Sequence, residues 1–137
     1  MRKKISTNVA KDMGILYVLE IELEGKKLIK VGITHRKIQD RVVEILASIW
    51  VKYRIFPYCY PKRFREVANV MAKEAKMHEL LKEFRYETEH KFTGHTEMFD
   101  VDMETVLLRY EEVVNEIVCS SGDGSDGLGD DSGDATD

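Results

Sequence analysis

The amino-acid sequence predicts an α+β domain in which a small antiparallel sheet of three strands is flanked by helices. Two adjoining segments near the start carry apolar and β-branched residues in the pattern of strands joined by a tight turn. Later segments repeat apolar residues at intervals of three or four positions, which is typical of amphipathic helices. The 137 residues leave room for one domain of the usual size, about 100–200 residues.

The first two strands are predicted to form a hairpin. The run GILYVLEIEL at 14–23 begins apolar and then alternates. Residues 24–26 (EGK) supply turn chemistry, and residues 27–33 (KLIKVGI) return as the second strand. Residues placed symmetrically about such a turn become neighbours, so Tyr17 is expected roughly opposite the Gly32–Ile33 end.

The remaining elements are predicted from their periodicity. Residues 38–49 have helical spacing, and residues 50–60 (WVKYRIFPYCY) predict a third strand because they are aromatic and β-branched. The longest helix is expected at 62–84, a short extended piece at 97–101, and a last helix at 103–118 that begins after the capping residue Asp102. The predicted order is β-β-α-β-α-(β)-α, with residues 1–12 as an N-terminal extension and 13–118 as the domain.

Residues 119–137 are predicted to be a disordered acidic tail. From Ser120 onward the chain is Gly, Asp and Ser with little else, and such a composition cannot bury enough apolar surface to offset chain entropy. Without the six aspartates of this tail, the chain has 19 acidic and 21 basic residues, a charge of about +2. A weakly basic domain binds nucleic acid only if its charges cluster.

Several classes of protein are disfavoured. No apolar run approaches the roughly 20 residues that span a bilayer, so a soluble, cytoplasmic protein is expected. Cys59 and Cys119 lack the spacing of zinc ligands and are expected to be free thiols. Phosphate-binding glycine loops, nucleophile elbows and HExxH helices are also missing from the sequence.

The candidate reactive residues lie on the hairpin and the two helices after it. Tyr17 and Lys30 come close across the hairpin, and Gly32 allows backbone or ligand to approach. From spacing alone, a half-buried tyrosine, a solvated lysine and a strand-end glycine are the more ordinary interpretation. Arg41, in the first helix, has the planar donor set that binds phosphate bidentately, or it pairs with Glu44 or Asp40.

Glu74 is the most informative residue of the long predicted helix. It lies on or beside the apolar side of that helix, and His78 follows one turn later on the same face. A carboxylate among core positions costs several kcal/mol unless it is paired, hydrogen-bonded or bound to a metal. Mg²⁺ prefers oxygen ligands and needs few from the protein when phosphate completes its shell. A salt bridge at the helix edge is an equally good interpretation.

Further residues are candidates for contact with a nucleic-acid backbone. His35 follows the hairpin and either touches phosphate or is solvated. Lys62, Arg63 and Arg65 follow Tyr58 and Tyr60, and basic residues interleaved with aromatic ones suit nucleic acid, although they are as often ordinary surface.

Taken in order, these pieces resemble the motifs of the GIY-YIG nuclease superfamily, in the phage and bacterial branch whose second motif begins with lysine. The resemblance covers about 14–101. The matching segments are Gly14-Ile15-Leu16-Tyr17, Lys30-Val31-Gly32-Ile33-Thr34, Asp40-Arg41-Val42, Glu74-Ala75-Lys76-Met77-His78 and Glu97-Met98-Phe99.

The resemblance implies an endonuclease that hydrolyses phosphodiester bonds, with DNA as the expected substrate and one Mg²⁺ or Mn²⁺ ion as cofactor. Tyr17 is then the general base or its assistant, Arg41 neutralises charge on the phosphate, and Glu74 holds the metal. Lys30 replaces a second tyrosine and supplies positive charge, and His78 orients water or accepts a proton. Gly32 and Thr34 belong to the expected substrate-binding surface, with His35, Lys62, Arg63 and Arg65.

Two other functions stay open at this stage. The domain could bind nucleic acid without cutting it, through the basic residues around Arg41 and Lys62. Alternatively, the acidic tail could serve a phage–host protein interaction by imitating nucleic acid, although a solubilising tail is the simpler interpretation. Small domains of this kind usually need self-association or a larger partner for specificity, so a homodimer or a protein partner is also expected.

Overall fold

The computed structural model describes residues 12–122, and the side chains of the last helix as far as residue 115. The strands are β1 (Gly14–Leu23), β2 (Lys26–Thr34), β3 (Cys59–Val67) and β4 (Met98–Phe99). The α-helices are α1 (Ile38–Tyr53), α2 (Val70–Leu80) and α3 (Met103–Gly122), and two 3₁₀ turns lie at Lys82–Phe84 and His95–Glu97.

The α+β class is confirmed, but the sheet has four antiparallel strands in the order β3-β1-β2-β4 where three were predicted. The extra strand is the short β4, which pairs Phe99 with Ile29 and Met98 with Lys30 of β2. Both residues of β4 are buried, so their apolar side chains contribute to holding this segment against the sheet edge.

The predicted hairpin is confirmed. Leu23 pairs with Lys26, so the turn contains two residues, and both have positive φ: 56° at Glu24 and 76° at Gly25. Such a turn matches the twist of the flanking strands. The register places Tyr17 directly opposite Gly32.

The Glu24 carboxylate holds this turn against the segment before β4. It accepts hydrogen bonds from the Tyr86 hydroxyl and the Thr88 hydroxyl at 2.5 Å each, and from the backbone N–H of Glu89 at 2.9 Å. His90 Nδ1 lies 2.6 Å from the same carboxylate. Partial burial raises the pKa of Glu24, but the hydrogen bonds from Thr88, Tyr86 and His90 outweigh it and hold the pKa at about 2.

We expect Glu24→Gln to lower the free energy of unfolding by about 1–3 kcal/mol near pH 7, because a charged acceptor of several hydrogen bonds is lost. Since the folded pKa is about 2 and the usual value is 4.5, this stability is present above pH 4.5 and is lost as the pH falls towards 2. Urea unfolding of the variant between pH 3 and 8 measures it. Glu22→Gln, at an exposed position of β1 just before the turn, is the control, and an equal change in both variants would contradict the assignment.

The predicted third strand and long helix had the wrong bounds. Residues 50–53 continue α1, because Ile45 and Ile49 extend the buried helical stripe that starts at Ile38. The helix ends where Arg54 adopts a left-handed conformation (φ 61°). Residues 59–67, of which most were assigned to the helix, form β3 instead.

An edge strand explains this error. In β3 only Val67 is buried, so the strand lacks the apolar alternation by which strands are identified. A register shift opposite Val18 and Leu19 interrupts the pattern further. Helix α2 begins only after Asn69 (φ 54°) and has 11 residues.

The two faces of the sheet carry separate apolar clusters. On one face Leu16, Val18 and Val31 pack against α2 and α3, and the Tyr110 hydroxyl donates to the Leu16 carbonyl at 2.6 Å. On the other face Leu19 packs against α1, together with the other β1 residues whose side chains point to that face. Helices α1 and α2 therefore flank the sheet from opposite sides.

The edge of β2 is only partly covered, which positions the candidate site. Within the described residues, β4 pairs with Ile29 and Lys30 but not with the remainder of β2. Side chains from α1 and α2 approach one another around this open part of the edge, at residues 31–34.

The last helix begins as predicted. The Asp102 carboxylate accepts a hydrogen bond from the Thr105 backbone N–H at 3.0 Å and caps the helix. Helix α3 extends to Gly122, four residues past the predicted end, and the rest of the predicted acidic tail lies outside the described residues. In the part of the chain that is described, no helix combines the length and the apolar character needed to cross a membrane.

Candidate functional site

A group of ionisable side chains meets at the open edge of β2, and we call it the edge cluster. Its members come from four elements and one 3₁₀ turn, and each contacts or electrostatically perturbs the next. The edge cluster consists of Tyr17 (β1), Lys30 (β2), Arg41 (α1), Glu74 and His78 (α2), and Glu97 (3₁₀ turn).

Tyr17 joins the two cations of the cluster. Its side chain has 0% exposure, and its hydroxyl oxygen accepts hydrogen bonds from Lys30 Nζ and from Arg41 Nε, both at 3.1 Å. The hairpin register brings the lysine, and the first turns of α1 bring the arginine. The phenol thus fixes two positive charges beside each other in the interior.

Lys30 is also fully buried, at 0% exposure, and its charge is compensated by Glu97. Its Nζ lies 2.5 Å from Glu97 Oε1. A buried ammonium without such a partner would cost several kcal/mol. Gly94 closes over the lysine: a Cβ at that position would lie 2.6 Å from Lys30 Nζ, and the backbone has a φ of 77°. Lys30 therefore pairs with Glu97 from the protein interior and does not face solvent.

Arg41 is less deeply enclosed, with 16% of its side chain exposed. Nε donates to Tyr17 and Nη1 donates to Glu44 Oε1 at 2.7 Å. Among the residues described, no acceptor is recorded for Nη2. Both interpretations of Arg41 thus have support: it pairs with Glu44 as a surface arginine would, and it retains a donor for an incoming anion.

Glu74 and Glu97 place two carboxyl groups side by side. Burial is the main cause that raises the pKa of Glu74 to about 7, and the charge and hydrogen bond of Glu97 add to it. The positive charges of Lys30 and Arg41 oppose this rise without cancelling it. Burial beside a second carboxyl group therefore favours the neutral form of Glu74.

A divalent cation fits this carboxyl pair. Two adjacent carboxylate oxygens that repel each other are what a hard ion such as Mg²⁺ or Mn²⁺ binds in exchange for a proton. Within the described residues, no group of three or more His, Cys, Asp or Glu side chains could hold a metal. The remaining ligands would have to be water and substrate oxygens, which is common for Mg²⁺ at phosphate-binding sites.

His78 has a defined tautomer. Its Nε2 lies 2.9 Å from the Val31 carbonyl oxygen, which can only accept, so Nε2 carries the proton. The ring packs against Phe99 with 5.5 Å between ring centroids, and Glu74 Oε2 lies 4.0 Å from Nε2. In the neutral imidazole, Nδ1 is then the atom with a free lone pair.

Gly32 permits this close arrangement. A Cβ at this position would lie 2.5 Å from the Tyr17 hydroxyl oxygen and 2.9 Å from Glu97 Oε1. The sequence predicted that something approaches Gly32 closely. In the structure, what approaches is the tyrosine and the carboxylate of the edge cluster.

A cavity of about 320 Å³ opens beside the carboxyl pair. Its lining includes three edge-cluster residues together with residues that sequence reasoning did not select. The lining residues are Glu74, His78, Lys82, Arg85, Thr96, Glu97 and Phe99. The missed residues carry no sequence signal for a site, because Lys82 falls in the last turn of the predicted long helix, Arg85 directly after it, and Thr96 in an irregular segment.

Thr34 and His35 lie away from the edge cluster contacts. Thr34 is 6% exposed, and its hydroxyl oxygen accepts a hydrogen bond from the Arg36 backbone N–H at 3.1 Å. Both residues line a separate cavity of about 380 Å³, together with Gly14 and Glu66. Their predicted role in substrate binding stays a prediction.

The predicted basic patch is largely compensated by acidic side chains. Arg63 and Arg65 both pair with Glu111 of α3, at 2.5 and 3.2 Å, and Lys62 lies 3.6 Å from Glu20. These residues are on β3, the strand at the opposite edge of the sheet from β4. The structure therefore does not bring them into the edge cluster.

We expect the raised pKa of Glu74 to make the metal-free protein less stable as the pH rises. The neutral form is favoured by the fold, so this contribution is complete below pH 4.5 and disappears as the pH rises through about 7. The loss is on the order of 1–3 kcal/mol. Denaturant unfolding in EDTA between pH 5 and 8.5 measures it, and Glu74→Gln should flatten the profile. An unchanged pH dependence in the variant would show that another group is responsible.

A family model described as the T5orf172 domain matches residues 14–118, which is most of the chain. This is a different family from the GIY-YIG superfamily, and the identification drawn from the five short motifs is therefore wrong. No curated protein and no solved structure matches the chain.

Proposed function

This chain belongs to the T5orf172 domain family, and we propose that it is a metal-dependent endonuclease that hydrolyses phosphodiester bonds of nucleic acid, with DNA as its substrate. The family membership supports a phage-like, nuclease-related domain. The observation that carries the proposal is that Glu74 and Glu97 line one cavity, with Lys30 Nζ 2.5 Å from Glu97 Oε1, and burial there raises the pKa of Glu74 to about 7. A carboxyl group with a shifted pKa, in a cavity and close to cationic side chains, is typical of a functional site.

In this proposal Glu74 and Glu97 hold one Mg²⁺ or Mn²⁺ ion. When bound, the metal would polarise the phosphate and favour the ionisation of an attacking water. The positive charge of Lys30 offsets part of the negative charge of the carboxyl pair before the metal binds. This compensation explains why a lysine is buried at the centre of the cluster.

Arg41 supplies a hydrogen-bond donor for the charge that develops on the phosphate. Two of its nitrogens are fixed by Tyr17 and Glu44, so the guanidinium is oriented before substrate binds. A donor that needs no reorganisation stabilises charge in a transition state more effectively than a mobile one. With 16% of its side chain exposed, Arg41 is mostly buried but still in contact with solvent.

His78 is the better-placed proton acceptor. Its ring lines the cavity, and its Nδ1 is available because Nε2 donates to Val31. Tyr17 is enclosed and accepts two hydrogen bonds, so its role here is to position Lys30 and Arg41. The role of Tyr17 as general base stays a prediction.

A second candidate function is nucleic-acid binding without cleavage. The exposed rings of Tyr58 and Tyr60 are nearly parallel, with 6.3 Å between centroids and 15° between planes. Lys62 Nζ lies 5.3 Å from the centre of the Tyr60 ring. Exposed aromatic rings beside cations are favourable for stacking with unpaired bases. The hypothesis that the acidic tail imitates nucleic acid concerns residues outside those described.

A cleavage panel separates these functions. The full chain is incubated with supercoiled plasmid, linear duplex DNA, single-stranded DNA and RNA, each with Mg²⁺, with Mn²⁺ and with EDTA. The proposal predicts internal cleavage of DNA that requires the metal. Binding to the same substrates without any cleavage under all conditions would favour the second candidate.

A further inference from the structure

We propose that Arg85, with Lys82 beside it, forms a binding subsite for a backbone phosphate next to the one that is cleaved. This inference rests on the proposed function, because it assigns the path of the nucleic-acid strand through the same cavity. Neither residue is a member of the edge cluster. Both line the cavity that also contains Glu74, His78 and Glu97.

The backbone of Arg85 is held in place by β4. Arg85 forms an isolated antiparallel bridge with Phe99. On either side of it, the Tyr86 N–H donates to the Met98 carbonyl at 2.9 Å, and the Asp100 N–H donates to the Phe84 carbonyl at 2.8 Å. Arg85 thus occupies a fixed position beyond the short edge strand, although it belongs to no named element.

The guanidinium is oriented by the turn that carries Glu97. Arg85 Nε donates to the Thr96 carbonyl oxygen at 3.1 Å. Thr96 immediately precedes Glu97, so the guanidinium is fixed relative to the carboxyl pair. The Nη groups have no acceptor recorded among residues 12–122, and they are the donors with which arginine binds phosphate bidentately.

Unlike most arginines of the described chain, Arg85 has no carboxylate partner, and among residues 12–122 only Arg54, which lies 5.6 Å from the centre of the Trp50 ring, shares this property. Those that pair with a carboxylate within 4 Å are Arg36, Arg41, Arg63, Arg65 and Arg109. Arg85 forms no such pair, although two carboxyl groups line the same cavity. An oriented guanidinium without a carboxylate partner, in a cavity with a phosphodiester-cleaving site, is suited to an anionic part of the substrate.

Exposure indicates which phosphate Arg85 would bind. Arg41 lies inside, with 16% of its side chain exposed, next to the buried Tyr17 and Lys30. Arg85 and Lys82 are both exposed, and Lys82 is also engaged with Glu79 at 2.8 Å. The cleaved phosphate belongs beside the carboxyl pair and Arg41, so the outer cations are left for its neighbour. Lys82 contributes less, because Glu79 competes for it.

Binding measurements without cleavage test this subsite. A fluorescein-labelled DNA oligonucleotide is titrated with the full chain in EDTA at several salt concentrations, and anisotropy gives Kd. Arg85→Gln is expected to weaken binding about five- to tenfold at low salt and to reduce the slope of log K against log salt by about 0.7–0.9. Arg85→Lys should retain the slope and lose part of the affinity, because charge is kept and bidentate geometry is lost.

Arg109→Gln is the matched control, since Arg109 is an arginine of α3 that already pairs with Glu112 at 2.9 Å. If Arg85→Gln binds with the Kd and salt slope of the wild type and the control, the subsite is refuted. Failure of the wild type to bind DNA would refute it as well. Binding that depends on Arg85 in a protein that never cleaves would retain the subsite and refute the nuclease, so the two proposals can fail separately.

Discussion

Replacing Glu74 with glutamine is expected to abolish metal-dependent cleavage, by roughly 10³-fold or more, while the protein stays folded. Glutamine has the size and the hydrogen-bonding oxygen of glutamate but not the charge that holds a divalent ion. Loss of the metal removes several kcal/mol of stabilisation from the transition state, and each 1.4 kcal/mol corresponds to a factor of about ten in rate. The fold should not suffer, because Glu74 is already destabilised as an anion, with a pKa of about 7.

Single-turnover cleavage of DNA at saturating Mn²⁺ measures this effect. Glu79→Gln is the matched control, because it makes the same substitution in the same helix at a side chain that is 65% exposed and pairs with Lys82. The control should cleave within about twofold of the wild type, as expected for an exposed ion pair of little energetic weight. Equal cleavage rates for Glu74→Gln and the wild type would show that Glu74 is not required for cleavage.

Replacing Lys30 with methionine is expected to be the most destabilising change in the site, by about 3–5 kcal/mol, the usual cost of removing one partner from a buried ion pair. Lys30 has 0% exposure, and its Nζ is 2.5 Å from Glu97 Oε1. Without Lys30, the Glu97 carboxylate would lie beside Glu74 and would have lost its cationic partner. Tyr17 would also lose one of its two donors.

Guanidinium chloride unfolding at pH 7 gives the free-energy change. Lys26→Met is the control, since Lys26 lies in the same strand and pairs with Asp100 at 2.9 Å, with both side chains about half exposed. The control should change stability by about 1 kcal/mol or less. The double variant Lys30→Met/Glu97→Gln should recover part of the loss, because it removes the unpaired charge. No recovery would mean that the lysine acts through packing alone.

The hairpin half of the site was predictable because its contacts are local. Strand alternation and a two-residue turn fix the register, and the register places Tyr17 near Lys30 and opposite Gly32. Arg41 follows closely enough in sequence for the first turns of α1 to bring it to the same place. What the sequence did not indicate was that Tyr17 and Lys30 are fully buried; Lys30, for example, is covered by the distant loop at Gly94.

The contacts of the other half depend on packing between distant segments. The sequence placed Glu74 near the core, and its side chain is 18% exposed in the structure. Its proximity to Glu97 arises only when α2 and the turn before β4 meet at the sheet edge. Arg85 could not be selected, because its position is defined by a bridge to Phe99 and not by periodicity. The wrong bounds of β3 have the same origin, since an exposed edge strand shows no apolar alternation.

The five short motifs were selected from common residue types at loosely defined spacings. They led to residues that do lie together, yet the family they suggested was wrong, and the chain matches the T5orf172 domain instead. Geometry and family membership are therefore separate supports for the proposal. The role of each residue rests on its contacts in the edge cluster.

The claim that Glu74 holds a divalent ion is tested most directly by Mn²⁺ binding. Electron paramagnetic resonance counts free Mn²⁺ during titration of the wild type and of Glu74→Gln at pH 8, with a cleavage-resistant phosphorothioate oligonucleotide present. The wild type should bind one ion per chain, and Glu74→Gln should leave the ion free over the same concentration range. Identical Mn²⁺ binding by the two proteins would contradict the account.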